Sequence, residues 1–164
     1  QTTYNLFNAC LKHKIPLVSI SSDHIFDGEK GMYKENDQPT PIGAYAISKY
    51  LGEKIVTVGP KNAVLRTSFI KTFPLAAAFE DKYFAGDTAD IIAADIVLAV
   101  KHGLTGIWNI GGKRVSIYDI AKKINQAVTK MKLKDHPINK VGLRYLKDVS
   151  LDTKKWNIFK KTHS

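Results

Sequence analysis

Residues 15–21, with the sequence IPLVSIS, decide the fold class of this chain. They form a short and nearly continuous apolar run, which is typical of a strand buried on both faces of a parallel sheet. Residues 1–12 precede this run with apolar side chains at helical spacing. The sequence NAVLRTS at residues 62–68 predicts a second buried strand, and a helical pattern at residues 43–58 lies between the two. A helix that connects two such strands predicts an α/β fold with a parallel sheet.

The rest of the chain continues this alternation. We expect a long loop at residues 22–42, a helix at residues 90–101 and a short strand at residues 106–112. Ser116 and Asp119 form a capping-box-like start to a helix that reaches about residue 130. The sequence DVSLDTKKW at residues 148–156 predicts a short element that begins at its Asp-Thr pair.

Composition excludes several classes of protein. The chain has 164 residues, the size of one ordinary domain, and its apolar runs are too short for a membrane-spanning helix. The single cysteine, Cys10, excludes an internal disulfide and any zinc site built from a cysteine cluster. The net charge of +10 comes from scattered lysines, so we expect a solvated surface or an anionic small substrate rather than nucleic acid. We expect no metal site and no membrane partner, and a cytoplasmic location is the simplest interpretation.

Three Tyr-x-x-x-Lys pairs occur, beginning at Tyr45, Tyr50 and Tyr118. The spacing alone is weak evidence, because a lysine-rich chain produces it by chance. On the predicted helix at residues 43–58, the core-facing stripe is expected to contain Ile47, Leu51, Ile55 and Val58. The pair Tyr45–Lys49 lies on the opposite side, where Gly52 permits close approach. We therefore interpret this pair as functional, and the other two as tyrosines beside solvated lysines.

The chemistry of such a pair is acid–base chemistry. A phenol has a pKa of about 10, and a neighbouring ammonium group favours the phenolate and lowers that pKa. The phenol can then exchange a proton with a sugar or alcohol oxygen. Ser21 and Ser22 end the first predicted strand, at the edge where open α/β sheets bind ligands. Either hydroxyl is a candidate to hold a substrate oxygen beside Tyr45.

Three segments in register carry a family resemblance: SSDHIFDG at 21–28, YKENDQPTPIGAYAISKYLGE at 33–53 and AVLRTSF at 63–69. Their order and spacing resemble the extended short-chain dehydrogenase/reductase superfamily, and within it the dTDP-4-dehydrorhamnose reductase family of sugar-nucleotide reductases. The resemblance is strong over residues 1–70 and loose beyond residue 130. It implies the second half of a Rossmann-like, doubly wound parallel sheet with a small C-terminal substrate-binding region. Residues 1–68 would carry the catalytic groups, and residues 69–164 the last sheet elements and substrate-binding segments.

The resemblance also implies roles for individual residues. Ser22, Tyr45 and Lys49 correspond to the catalytic residues, with Tyr45 as the general acid. Tyr45, Lys49, Thr67 and Ser68 are expected to bind NADPH or NADH. Ser22, Asp23, His24 and Phe69 are expected to contact a nucleotide-sugar substrate, although the family more often has Tyr where His24 stands. The implied reaction is hydride transfer to the 4-keto carbon of a nucleotide-linked deoxysugar.

The sequence departs from the family in one large respect. No Gly-x-Gly-x-x-Gly fingerprint occurs, and residues 1–12 predict a helix with no strand before it. We expect a C-terminal portion of a reductase, inactive by itself, or a subunit that forms a homo-oligomer or whose sheet is completed by a partner or a missing N-terminal segment. The alternatives are an epimerase or dehydratase, which Asp23-His24 disfavours because dehydratases usually have Asp-Glu there, and a non-catalytic subunit resembling the regulatory β subunit of methionine adenosyltransferase.

Overall fold

The computed structural model describes residues 2–70, 74–136 and 145–163, and within these ranges the predicted α/β fold is confirmed. Five helices are described: α1 (Thr2–Lys12), α2 (Gly43–Val56), α3 (Ala89–Lys101), α4 (Ile117–Ile124) and α5 (Lys154–His163). Seven strands accompany them: β1 (Val18–Ser22), β2 (Ala63–Thr67), β3 (Ala77–Phe79), β4 (Tyr83–Phe84), β5 (Gly106–Asn109), β6 (Val115–Ser116) and β7 (Thr129–Met131). Short 3-10 turns lie at Asp23–Ile25 and Leu133–Asp135.

The main sheet is parallel and has the order β1-β2-β5, with helices on both of its faces. Side chains alternate along β2, so neighbouring residues enter different cores. Val64 packs with Phe7 of α1 and Val56 of α2. Leu65 packs on the other face with Ile92 of α3 and Trp156 of α5. This alternation produces the doubly wound arrangement.

β1 differs from its prediction, because it lies at an edge of the described sheet rather than being buried on both faces. Only Ser21 and Ser22 are buried in this strand, and Ile20 is 40% exposed. All five residues of β2 are buried, as the sequence predicts. Apolar composition therefore identified both strands but did not distinguish the edge position from the central one.

The predicted core stripe of α2 is wrong for three of its four residues. Ile47, Leu51 and Val58 are 45%, 56% and 72% exposed, whereas Ile55 is partly buried and packs against the core cluster that contains Val56. The buried residues of this helix are instead Ala46, Gly52, Glu53 and Val56. Small side chains let α2 approach its neighbours closely, and Glu53 enters the core because Arg66 of β2 pairs with it.

A smaller lobe contains the two pairs β3–β7 and β4–β6, together with α4. Ser116 caps α4 as predicted, with Oγ accepting a hydrogen bond from the Asp119 amide at 3.0 Å. The helix ends at Ile124 rather than near residue 130, and residues 129–131 form β7. The side-chain amide of Asn125 donates to the carbonyl of Leu75 at 2.9 Å and turns the chain towards β3. A domain division after residue 68 stays a prediction. The later elements β5, α3 and α5 belong to the layer of the main sheet.

None of the helices in the described ranges is long and apolar enough to cross a bilayer.

Trp156 provides a test of the core beneath α5. It is fully buried, and its Nε1 donates to Oδ2 of the buried Asp95 at 2.8 Å. We expect Trp156→Phe to lower the free energy of unfolding by about 1–3 kcal/mol, because the substitution leaves a buried carboxylate oxygen without its donor. Urea denaturation of the natural protein, meaning the chain as its source cell makes it, measures the effect.

Trp108 is the matched control in the same aromatic cluster. It is half-buried, and its Nε1 donates to the carbonyl of the exposed residue Thr105 at 2.9 Å. Trp108→Phe should cost clearly less than Trp156→Phe. Equal costs would show that lost aromatic volume, and not the hydrogen bond to Asp95, sets the stability.

Candidate active site

The carboxyl ends of β1 and β2 lie side by side. The parallel register places Ser22 opposite Thr67, so their side chains belong to the same edge of the sheet. After β1 the chain turns immediately into Asp23–Ile25, and Ser22 caps that turn by accepting from the amide of His24 at 3.2 Å. Ser22, Asp23 and Thr67 are all buried. A polar floor therefore forms where open α/β sheets bind ligands.

α2 carries the Tyr45–Lys49 pair to this edge. Lys49 Nζ donates to the carbonyl of Ile20 in β1 at 2.7 Å, which ties the helix to the strand. The ammonium group retains further N–H donors for a ligand, since it has three. Tyr45 lies in the first turn of α2 and is 61% exposed, so its ring is accessible to a ligand.

A cleft of about 290 Å³ lies between these elements. All eight predicted site residues line this cleft: Ser22, Asp23, His24, Tyr45, Lys49, Thr67, Ser68 and Phe69. Ile20 and Ser21 also line it. The roles assigned to the eight residues stay predictions. Their convergence, however, comes from three separate stretches of chain that only the fold brings together.

Asp23 organises one end of the cleft. Its Oδ1 accepts from the hydroxyl of Ser22 at 3.1 Å and lies 2.8 Å from Nδ1 of His24. The side chain of Asp23 is 2% exposed, whereas that of His24 is 46% exposed. The His24 ring meets the ring of Tyr45 edge-on, with centroids 6.3 Å apart. Ser22, Asp23 and His24 thus form one hydrogen-bonded unit beside Tyr45.

Three buried polar atoms at the cleft lack a hydrogen-bond partner: Ser21 Oγ, Asp23 Oδ2 and Thr67 Oγ1. In the described part of the chain only one other buried side-chain atom, Asn109 Oδ1, shares this condition. Buried polar groups are normally paired, because each unpaired one costs about 1–3 kcal/mol. Their concentration at one cleft makes it the candidate binding site for a polar ligand.

A second cavity of about 320 Å³ adjoins the cleft and shares Asp23, His24, Ser68 and Phe69 with it. Its remaining wall is apolar except for Lys82, a residue that the sequence analysis missed. Burial lowers the pKa of Lys82, and the charge of Asp23 opposes that effect. Lys82 Nζ donates to the carbonyl of Leu146 at 2.7 Å. Nothing in the charged segment EDKYF distinguishes this lysine from a surface one, because its burial comes from distant residues.

The other two Tyr-Lys pairs lie outside the cleft. Lys54 Nζ lies 5.0 Å from the centre of the Tyr50 ring, and Lys122 Nζ lies 5.6 Å from that of Tyr118. Tyr50 packs on the core cluster that contains Ile25. Within the described ranges, no group of three or more His, Cys, Asp or Glu side chains is arranged to hold a metal ion.

Comparison with known proteins agrees with the sequence motifs. Residues 1–72 match the family described as the RmlD substrate binding domain. A dTDP-4-dehydrorhamnose reductase from Aggregatibacter actinomycetemcomitans is 31% identical over 159 residues, which covers 81% of this chain and 54% of that protein. The chain thus spans about half the length of this curated relative.

Solved structures share the fold. A hypothetical dTDP-4-dehydrorhamnose reductase from Sulfolobus tokodaii has a TM-score of 0.79 and 28% identity, covering 93% of this chain and 61% of that one. A dTDP-4-dehydrorhamnose reductase from Bacillus anthracis, solved in complex with NADP, has a TM-score of 0.76 at 21% identity, covering 95% and 63%, and shows the fold alone. The expected Rossmann-like architecture is confirmed by these neighbours. Residues 1–72 therefore match the family described as the RmlD substrate binding domain, and the chain as a whole is similar in sequence and fold to dTDP-4-dehydrorhamnose reductases.

Proposed function

We propose that the protein containing this chain is an NAD(P)H-dependent oxidoreductase of the short-chain dehydrogenase/reductase type. It would reduce the 4-keto group of a nucleotide-linked deoxysugar, as the names of its relatives suggest. The observation that carries the proposal is one cleft that is lined by Tyr45, by Lys49 and by three residues that each have a buried polar atom without a hydrogen-bond partner. An acid, a cation and unsatisfied polar groups together suit a polar substrate beside a nucleotide cofactor.

Each residue has a definite task in this proposal. Tyr45 gives its phenolic proton to the substrate oxygen as that oxygen gains negative charge. Ser22 holds the same oxygen, and its hydroxyl must turn away from Asp23 Oδ1, to which it now donates. Lys49 is fixed by its bond to the Ile20 carbonyl and places a positive charge in the cleft that Tyr45 also lines.

The residues present fit a nicotinamide nucleotide. Thr67 Oγ1 and Ser21 Oγ are buried hydroxyls without partners, and Lys49 retains N–H donors for a ribose hydroxyl. We propose that Tyr45, Lys49, Thr67 and Ser68 contact the cofactor, and that Ser22, Asp23, His24 and Phe69 contact the substrate. When bound, NADPH or NADH supplies the hydride.

Thr67→Val tests whether the unpaired hydroxyl serves a ligand. In the unliganded protein we expect no loss of stability, because the substitution removes a buried hydroxyl that has no partner. Affinity for NADPH or NADH should fall about 2- to 10-fold, the equivalent of one hydrogen bond worth about 0.5–1.5 kcal/mol. Urea denaturation and cofactor titration of the natural protein measure the two effects.

Thr153 is the matched control for Thr67. It is also buried, but its hydroxyl donates to the carbonyl of Gly112 at 3.1 Å. Thr153→Val should therefore lower stability by about 1–3 kcal/mol and leave cofactor affinity unchanged. Loss of stability in Thr67→Val without loss of affinity would contradict the assignment.

The direct test of function is an assay of the natural protein with 4-keto sugar nucleotides and either NADPH or NADH. We expect oxidation of the cofactor together with formation of the 4-hydroxy sugar. Isomerisation or loss of water without net cofactor oxidation would favour an epimerase or dehydratase. Cofactor binding with no turnover on any such substrate would favour a non-catalytic subunit.

We further propose that these 164 residues alone bind the cofactor weakly. A dinucleotide pyrophosphate is usually held at a glycine-rich turn that opens a helix, and this sequence contains no such fingerprint. Titration of the isolated chain beside the natural protein compares the two affinities. Equal affinity would contradict this part of the proposal.

A further inference from the structure

His24 is held in one orientation by Asp23. Asp23 Oδ1 already accepts the hydroxyl of Ser22, and a carboxylate oxygen offers only lone pairs. Nδ1 of His24, 2.8 Å from the same oxygen, must therefore be the donor. The neutral ring then carries its free lone pair on Nε2, and the protonated ring carries a second N–H there.

His24 lines the cleft and is also exposed to solvent. Its side chain is 46% exposed, so the ring exchanges protons with water. The ring is edge-on to Tyr45 at a centroid separation of 6.3 Å, and both rings line the same cleft. Asp23 holds the ring at its Nδ1 atom, and the Asp23 side chain is itself buried, at 2% exposed.

The proposed reaction leaves Tyr45 without its proton. The substrate carbon receives a hydride, its oxygen receives the phenolic proton, and Tyr45 becomes a phenolate that must be reprotonated before the next cycle. Imidazolium, with a reference pKa of about 6.5, is a far stronger acid than a phenol, with a reference pKa of about 10. Proton transfer from an imidazolium to a phenolate is therefore favourable.

We propose that His24 returns the proton that Tyr45 gives up in each cycle, and that Asp23 holds the ring for this transfer. The inference rests on the proposed reductase function. The Nε2–H bond of the imidazolium breaks as the Oη–H bond of Tyr45 forms, and the neutral His24 then takes one proton from solvent. No electrons are transferred in either step.

Charged groups of both signs lie around His24. Asp23 precedes it on the same turn, with Oδ1 2.8 Å from Nδ1 of the ring. Lys49 of α2 lines the cleft with His24, and Lys82, next to β4, lines the adjoining cavity with it. Tyr45 is neutral before the proposed reaction and negative after it, so its phenolate attracts an imidazolium at the moment when a proton is needed.

The test compares single-turnover with steady-state kinetics of the natural protein and of His24→Gln. The first hydride transfer uses the proton already on Tyr45, so its rate constant at saturating substrate should fall much less than the steady-state kcat, and loss of the proposed substrate contact of His24 should appear in KM. The steady-state kcat should fall about tenfold or more, given the usual worth of a positioned acid or base, and added imidazole should restore it.

His13→Gln is the matched control, because His13 is an exposed residue after α1, outside the cleft. It should change none of these quantities. An unchanged kcat in His24→Gln would overturn the proton-return role while the reductase function stands. Equal falls in single-turnover rate and kcat, without rescue by imidazole, would overturn it in favour of substrate contact. Absence of turnover in the natural protein would refute the reductase function, and this inference with it.

A measurement without turnover tests the geometry. In ¹⁵N spectra of the unliganded natural protein, the His24 signal is the one lost in His24→Gln. The neutral ring should carry its proton on Nδ1, and Asp23→Asn should weaken that preference. A proton on Nε2 of the neutral ring would overturn the proposed orientation.

Discussion

Replacing Tyr45 with Phe should lower the rate of ketone reduction about 10²- to 10⁴-fold, the usual contribution of a positioned acid or base. The substitution removes only the phenolic hydroxyl. Tyr45 is 61% exposed, so the ring contributes little to the core and the variant should fold normally. Steady-state kinetics with the 4-keto sugar nucleotide measure the loss, and cofactor titration checks that the cleft still binds.

Tyr50 offers a control on the same helix with the same spacing to a lysine. Its hydroxyl lies 3.5 Å from Nε2 of Gln38, outside the cleft, and Lys54 covers its ring. Tyr50→Phe should leave the rate within about twofold, since it removes no group near the reacting atoms. Equal rates in Tyr45→Phe and the natural protein would refute the role of Tyr45 as general acid.

Replacing Glu53 with Ala should lower the free energy of unfolding by about 3–5 kcal/mol, because a buried arginine would lose its counter-charge. Arg66 and Glu53 have side chains that are 2% and 3% exposed. They form a bidentate pair, with Nε to Oε1 at 3.0 Å and Nη2 to Oε2 at 2.8 Å. The remaining Arg66 contacts, to the carbonyl of Glu35 and the ring of Phe26, do not neutralise its charge. Urea denaturation of the natural protein measures the loss.

Two comparisons separate charge from packing. The double variant Glu53→Leu with Arg66→Met should recover much of the lost stability, because apolar residues of similar volume often replace a buried ion pair at little cost. Lys30→Ala breaks the exposed pair with Asp37, in which the lysine side chain is 57% exposed, and should cost at most about 1 kcal/mol. A loss of less than about 1 kcal/mol in Glu53→Ala would contradict the importance of the buried pair.

The helix α2 shows where reasoning from the sequence succeeds and where it fails. Helical spacing located the helix and paired Tyr45 with Lys49 on one face, and both line the cleft. The same spacing gave the wrong buried stripe, because apolar residues such as Leu51 are exposed while Glu53 is buried. Hydropathy records the preference of a side chain for water in isolation. It does not record the partner, here Arg66, that makes burial of a charge favourable.

The sequence by itself located α1, α2, α3 and the start of α4, the strands β1, β2 and β5, and the capping of α4 by Ser116; the motifs that carry the family resemblance supplied eight of the residues that line the cleft. Those features depend on local spacing or on motifs that lie within short stretches of chain. Only the tertiary structure decided that β1 lies at an edge of the described sheet, that residues 129–131 pair with β3, and that Lys82 lies half-buried beside the site. It also decided which hydroxyls are left without partners at the cleft. These features depend on contacts between residues far apart in the chain, and local pattern carries no information about such contacts.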